Sequence, residues 1–270
     1  MNELWMSYTK IQISKIKERL LPIENCTNYN QEILLEDLSN IMEEKIEFST
    51  GSNVKLKLIE NELLSSEGEY EIKVDVQVEL HANSKLGFLY GLNDLLEMIQ
   101  TSSLKNCKYV PFKELRMINH WDNLDGTVER GYSGKSIFNK NGDLIISEKK
   151  LRQYARILNS MKMNYVVINN VNAEELATTL LTSRRNIVKK IKEIFDLYDI
   201  KIMISLNFAS PLTLGELNRS DPLNKDVFEL WEKSITDFCS DIPYFGGFLI
   251  KADSEVRPGP LTYGRTHADG

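Results

Sequence analysis

The sequence predicts an α/β protein: an N-terminal α+β domain over residues 1–112, then four strand–helix units over residues 113–270, which is half of a (β/α)8 barrel. Three observations give this reading. Before about residue 110, apolar residues alternate with polar ones, the period of half-buried strands. From Lys113 onward, short apolar runs alternate with stretches at helical spacing, as parallel strands joined by right-handed crossovers require. The length, 270 residues, holds two modest domains or one barrel, but barely a barrel plus anything else.

In chain order, Ile13, Ile16, Leu20 and Leu21 give a rough helical stripe. NVKLKLI (residues 53–59) and YEIKVDVQVEL (residues 70–80) alternate, and each is predicted as one strand. His81-Ala82-Asn83-Ser84 then leads into Leu86, Leu89, Tyr90, Leu92, Leu95, Leu96 and Ile99, a capped amphipathic helix packing on the sheet. Nothing here forms a chemical constellation, and His81 reads as a loop or packing residue. In the second part, strands are predicted near residues 115–118, 165–168, 202–206 and 245–250. Helical stripes lie between them. Leu151, Tyr154, Ala155 and Leu158 mark the first; Ile187, Ile191, Ile194, Phe195 and Tyr198 the second; Val227, Leu230, Trp231, Ile235 and Phe238 the third.

Composition narrows the function. With 42% hydrophobic and 27% charged residues and 7 prolines, the chain is an ordinary globular one. A formal net charge of −6 argues against nucleic acid or an acidic membrane as partner, because both demand a clustered basic face. The densest basic run, Arg184, Arg185, Lys189 and Lys190, falls on a predicted helix and reads as a solvated face. Cys26, Cys107 and Cys239 are odd in number and far apart, which suggests neither a disulfide framework nor a zinc site. A reducing, cytoplasmic setting is expected. The first 21 residues carry charges throughout, unlike a secretory signal, and no stretch approaches the roughly 18 apolar residues of a membrane span. The sequons at Asn25 and Asn218 are accordingly read as chance.

In parallel α/β architectures the polar residues just past each strand converge on one rim. Here those positions hold Asn119-His120-Trp121-Asp122-Asn123, then Asn169-Asn170-Val171-Asn172, then Asn207-Phe208-Ala209-Ser210, then Lys251-Ala252-Asp253-Ser254-Glu255. Amides that donate and accept, an indole face and carboxylates suit a hydroxyl-rich ligand, so a carbohydrate is expected. Plainer roles compete. Asp122, Asn169 and Asn172 fit turn formers or caps, and that structural role is preferred for each. Trp121 fits core or rim equally. His120 is read as a hydrogen-bonded structural histidine, and His267 with Asp269 as loop residues, since no third metal ligand is in reach by spacing. Glu255 differs: it sits in a Pro-Gly-rich loop near Lys251 and reads as functional.

These residues lie in motifs that resemble glycoside hydrolase family 67, the α-glucuronidases. The motifs are HWDNLDGTVERGYSGKSIF (residues 120–138), VVINNVNA (166–173), LNFASP (206–211) and GGFLIKADSEVRPGPLTYGRTHADG (246–270). LGFLYGLNDLLEMIQ (86–100) is similar to a helix of that family's leading α+β domain and of related hexosaminidase domains, so the resemblance covers the whole chain. It implies a cofactor-free, metal-free, inverting hydrolase with a small-molecule substrate. That substrate is an aldouronic acid, 4-O-methylglucuronic acid α-1,2-linked to the terminal xylose of a short xylo-oligosaccharide.

Glu255 matches the family's general acid, while Trp121, Asn170, Val171 and Lys251 match positions lining its uronic-acid subsite. An inverting enzyme also uses a base carboxylate roughly 6.5–9.5 Å from the acid. In the family that base, further basic residues, the remaining barrel strands and a helical dimerisation region follow the motif in which these 270 residues end. The expectation is therefore an N-terminal part carrying the acid without the base. Asp253, too close to Glu255 to act across the sugar, is expected to orient the loop. An inactive fragment or a carbohydrate-binding remnant is the alternative; a half-barrel that dimerises is a third.

Overall fold

The structure, a computed structural model, describes residues 7–169, 172, 175–215, 217–252 and 257–269. Two compact units divide it. The first comprises Met1–Arg116, Arg152–Asn164 and Leu197–Asp199, and the second Met117–Leu151, Tyr165–Asp196 and Ile200–Gly270.

The first unit starts with α1 (Lys10–Leu20), set by a capping box in which Thr9 Oγ1 accepts from the Gln12 amide and the Gln12 side chain accepts from the Thr9 amide. There follow β1 (Ile23–Cys26), α2 (Glu32–Met42), β2 (Leu56–Glu60), β3 (Tyr70–Val74), β4 (Val78–Ala82), α3 (Lys85–Gln100) and β5 (Cys107–Tyr109). The strands form one sheet in the order β1-β2-β4-β3-β5, parallel across β1, β2 and β4 and antiparallel on either side of β3. Leu56, Leu58, Tyr70, Ile72, Val78 and Leu80 are buried on one face, where Ile16, Leu20, Leu34, Leu38, Phe88, Leu92 and Leu95 of the helices complete the core. Ser84 caps α3 as expected, its Oγ accepting from the Gly87 amide at 3.0 Å. Gly87 lets the helix lie close on the sheet, because a Cβ there would sit 2.5 Å from the Glu69 carbonyl oxygen.

Two expectations need correcting. Residues 70–80 are not one strand but the hairpin β3–β4, turning at Asp75 to Gln77, with Tyr70 opposite Ala82 and Val74 opposite Val78. Three residues span the turn, so the period of two runs on unbroken from Tyr70 to Ala82 and conceals it; only Val76, 93% exposed, marks the break. Of the two roles expected of His81, loop or packing, the loop one falls away: the residue is buried within β4, with its Nε2 3.0 Å from the Glu79 carboxylate. β1 and α2 were not anticipated.

A buried polar group explains why α2 is hard to read. Asp37 interrupts its apolar face and pairs at 3.2 Å with Nε of Arg156, while Tyr198 donates to it at 2.9 Å. Burial pushes the Asp37 pKa up to about 6 against the opposing pull of the Arg156 guanidinium.

The second unit contains β6 (Met117–Asn119), the short hairpin of β7 (Asn139–Lys140) and β8 (Asp143–Leu144), α4 (Glu148–Ser160), whose later turns count with the first unit, and β9 (Tyr165–Val167). It continues through α5 (Glu175–Thr178), α6 (Arg185–Asp196), β10 (Lys201–Asn207), α7 (Ser210–Leu214), α8 (Lys225–Asp241) and β11 (Gly247–Lys251). The four longer strands form a wholly parallel sheet in the order β11-β10-β9-β6, as the alternation predicts. Val166, Val167, Ile202, Ile204 and Leu206 are buried, which is why these strands read as apolar runs. The helical stripes hold too: Ile187, Val188, Ile191 and Phe195 of α6 and Val227 and Phe238 of α8 are buried. Lys251 ends β11 rather than following it.

Candidate active site

The carboxyl ends of the four parallel strands carry the polar residues. After β6, the His120 amide extends the ladder to the Val167 carbonyl, and the ring packs edge-on against Phe138 with centroids 5.0 Å apart. Its Nδ1 lies 3.3 Å from Asp122, whose other oxygen accepts from the Ile137 amide at 3.0 Å. His120 and Asp122 thus brace this loop, the structural role expected of both. Asn123 donates to Thr127 Oγ1 at 2.8 Å and to the Glu129 carbonyl at 2.7 Å, and Asp125 accepts from the Thr127 amide and hydroxyl. Gly126, at φ +100°, turns the loop against Lys140. Trp121 belongs to the rim and not the core: it is 42% exposed, beside Val128 and Tyr132 at a shallow depression.

The next three strand ends are tied together. Asn169, 1% exposed, accepts from the Ser205 amide at 2.5 Å and donates to the Ser205 carbonyl at 3.1 Å, locking β9 to β10. The Lys251 ammonium donates to Asn172 Oδ1 at 2.7 Å, and the Asn207 side chain donates to the Asn172 carbonyl at 3.3 Å. Lys251 is buried, at 6% exposure, so its charge depends on such acceptors. Sequence reasoning set Asn172 on the rim and preferred a turn-forming or capping role for it; its partner lies 79 residues away and no local pattern shows the pair.

Beyond β11, the loop of residues 257–269 is anchored by Arg265, which forks onto Asp221 at 3.0 and 3.4 Å, and by the Tyr263 hydroxyl, which accepts from the Ser220 amide at 2.9 Å. The Arg265 guanidinium holds the Asp221 carboxyl below the usual carboxylate range. Asp269 accepts from the amide and hydroxyl of Thr266, the loop role expected of it, and those hydrogen bonds lower its pKa. Among the described residues no group of three or more His, Cys, Asp or Glu is gathered as a metal site would need, and no helix is long and apolar enough to cross a membrane.

A cavity of about 440 Å³ opens beside the rim, walled by Asp122, Asn123, Leu124 and Asp125 of the β6 loop, Asn169, the start of α5 at Glu175, Leu176 and Ala177, and Arg257. Arg257 Nη1 lies 3.6 Å from Glu175 Oε1. Asn123 and Asp125 fall in the stretch after the first strand that the sequence places on the rim, whereas Glu175 and Arg257 were not singled out and read as ordinary helix-start and loop residues; a charged side chain inside the VRPGP turn was the one available signal. Trp121 and Lys251 are not among the described residues of this wall. Of the remaining expected site residues, Glu255, Asn170 and Val171 lie outside the described residues, as does Asp253.

The sequence profile of the glycosyl hydrolase family 67 middle domain matches residues 95–270. The chain belongs to glycosyl hydrolase family 67. Relatives of this family 67 chain include the probable α-glucuronidase A of Neosartorya fischeri, 41% identical over 195 residues that cover 72% of the chain and 23% of that protein. Another is the probable α-glucuronidase A of Aspergillus clavatus, 39% identical over 209 residues, 77% of the chain and 25% of that protein. The chain spans about a quarter of the length of these curated relatives.

Among solved structures, a GH20 exo-β-N-acetylglucosaminidase from Vibrio harveyi is similar with a TM-score of 0.59 at 15% identity, over 90% of the chain and 45% of that protein. A family GH115 4-O-methyl-α-glucuronidase gives 0.55 at 13% identity, over 88% and 36%. At these identities the likeness is one of fold.

Proposed function

We propose that this family 67 chain belongs to a cytoplasmic α-glucuronidase that removes 4-O-methylglucuronic acid from aldouronic acids with inversion, and that Glu255 is its general acid. In this reading residues 1–112 form the leading domain, residues 113–270 form the first four units of a (β/α)8 barrel, and the base carboxylate comes from outside these 270 residues. Glu255 gives its proton to the leaving xylose oxygen while the base activates a water on the opposite face of the sugar. To hold that proton near neutral pH the carboxyl must sit in a closed pocket or beside other anions. Trp121 offers a flat apolar wall, Asn170 and Val171 line the uronic-acid subsite, and Lys251 contributes a point charge to the sugar's polar edge.

One observation carries most weight: about 40% identity to proteins named α-glucuronidases over some three quarters of the chain, joined to a family 67 profile match over residues 95–270, a span that holds Lys251, a buried cation bound by Asn172 at the carboxyl end of a parallel sheet. Free Cys26, Cys107 and Cys239 fit a reducing compartment. The test is chromatographic. The whole protein, incubated with 4-O-methylglucuronosyl xylotriose, should release the uronic acid without added metal or cofactor, and Glu255→Gln should reduce turnover by roughly 10²–10⁴-fold. Unaltered turnover in Glu255→Gln removes that residue from the role, and absence of release from the wild type removes the function.

A further inference from the structure

We infer that Tyr70, Tyr90, Tyr109 and Asp94 of the first unit build a site for an alkylammonium group, which the chain fills with its own Lys162, so that this side chain plugs the turn after α4 into β3, α3 and β5. Nothing in it depends on the α-glucuronidase reading. The backbone at Lys162 gives the first sign. Helix α4 is closed by hydrogen bonds from the Lys162 amide to the Asn159 carbonyl and from the Met163 amide to the Leu158 carbonyl, each 2.9 Å, with Lys162 at φ +62°. Glycine is the usual residue at that position, because a Cβ makes the left-handed conformation costly. A lysine persists there only if its side chain offsets the cost elsewhere.

The surroundings of the ammonium show where. It lies 5.6 Å from the centroid of the Tyr70 ring, 5.5 Å from that of Tyr90 and 5.8 Å from that of Tyr109, within the roughly 6 Å over which a cation is drawn to an aromatic face. It pairs with Asp94 Oδ1 and donates to the Tyr90 carbonyl at 3.2 Å. The Tyr70 hydroxyl donates to the other Asp94 oxygen, which holds the carboxylate in place. Tyr109 stacks on Tyr70 with centroids 5.5 Å apart and meets Tyr90 edge-on at 6.3 Å, while the Tyr90 hydroxyl is fixed by the Met163 carbonyl and by Arg116. The rings therefore hold one another, and the site has a shape of its own. Arg116 also lies 5.8 Å from the Tyr90 centroid, but its guanidinium is taken up by the carbonyls of Lys162 and Glu114, which leaves Asp94 to the ammonium. Tyr70 and Tyr90 are buried and the Lys162 side chain is 14% exposed, so the ammonium exchanges most of its water for three ring faces and a carboxylate. Burial lowers the Lys162 pKa while Asp94 pulls it up. Such a set selects a compact cation on an apolar stem.

Lys162→Gly empties the site and leaves, at φ +62°, a backbone that glycine adopts without strain. The probe is n-butylammonium, the excised side chain as a free molecule, followed by thermal melting of the purified protein. Titrated to about ten times its dissociation constant, it should raise the melting temperature of Lys162→Gly by roughly 3–6 °C and leave wild type, whose site is already filled, within about 1 °C. n-Butanol, neutral and of the same shape, should not reproduce the rise. A variant indifferent to n-butylammonium, one stabilised equally by n-butanol, or equal stabilisation of wild type overturns the inference. Wild type supplies a second test should Lys162→Gly not fold. In its proton NMR spectrum a lysine Hε signal should lie upfield of the rest, shifted by the ring currents of the cage, and should move back in Tyr109→Leu. Lys113 and Lys201, which lie over Phe112 and Tyr165, should keep their positions in that variant. A lysine spectrum unchanged by Tyr109→Leu overturns the inference as well.

Discussion

Replacing Asn172 by alanine isolates what the amide does for Lys251. The bond from the ammonium to Asn172 Oδ1 is 2.7 Å long, and the two residues are 6% and 7% exposed. A hydrogen bond to a charged group contributes about 1.5–3 kcal/mol, and burial puts this one in the upper part of that range because water does not replace the lost acceptor. If Lys251 contacts the sugar in the transition state, the same loss appears in kcat/KM as a decrease of about ten- to a hundred-fold. Asn172→Asp keeps an acceptor at the same place and should recover most of it. The assay pairs kcat/KM of the whole protein on 4-O-methylglucuronosyl xylotriose with urea unfolding of each variant. The reasoning is refuted if Asn172→Ala matches wild type in both, or if Asn172→Asp is as impaired as alanine.

Two further outcomes follow from the buried polar groups. The Asp37 pKa is raised above its ordinary 3.8 to about 6, so the folded state binds this proton more tightly than the unfolded chain. The stability it contributes is present below pH 4 and lost as pH rises through about 6, a loss of up to ~3 kcal/mol. The unfolding free energy of wild type, relative to Asp37→Asn measured in urea, should therefore fall between pH 4 and pH 7, and a flat difference contradicts it. Asn169→Ala strands both the amide and the carbonyl of Ser205, which is 0% exposed, and should cost about 2–4 kcal/mol and lower the melting temperature by roughly 5–10 °C.

What the sequence could reveal depended on how local the signal was. The central strands of the parallel sheet, β9 and β10, were legible because burial makes each an apolar run, and the half-buried edge strands β6 and β11 carry shorter apolar runs bounded by polar residues; from their order the rim residues could be placed. The β3–β4 hairpin was not legible, since its turn contains no glycine or proline and preserves the period of two. Helix α2 was hidden by Asp37, a polar residue on its inner face whose partners Arg156 and Tyr198 lie far along the chain. The site followed the same rule. Trp121 and Lys251 stand beside strand ends and could be named, whereas Asn172 gains its role from a residue 79 positions away. Glu175 and Arg257 meet only because two separate loops converge.

The α-glucuronidase assignment is tested most directly by time-resolved proton NMR of the whole protein acting on 4-O-methylglucuronosyl xylotriose. An inverting enzyme with Glu255 as acid releases the uronic acid first as its β-anomer, with free xylotriose in equal amount and the α-anomer growing in later by mutarotation. Early appearance of the α-anomer, or no release of uronic acid at all, contradicts it.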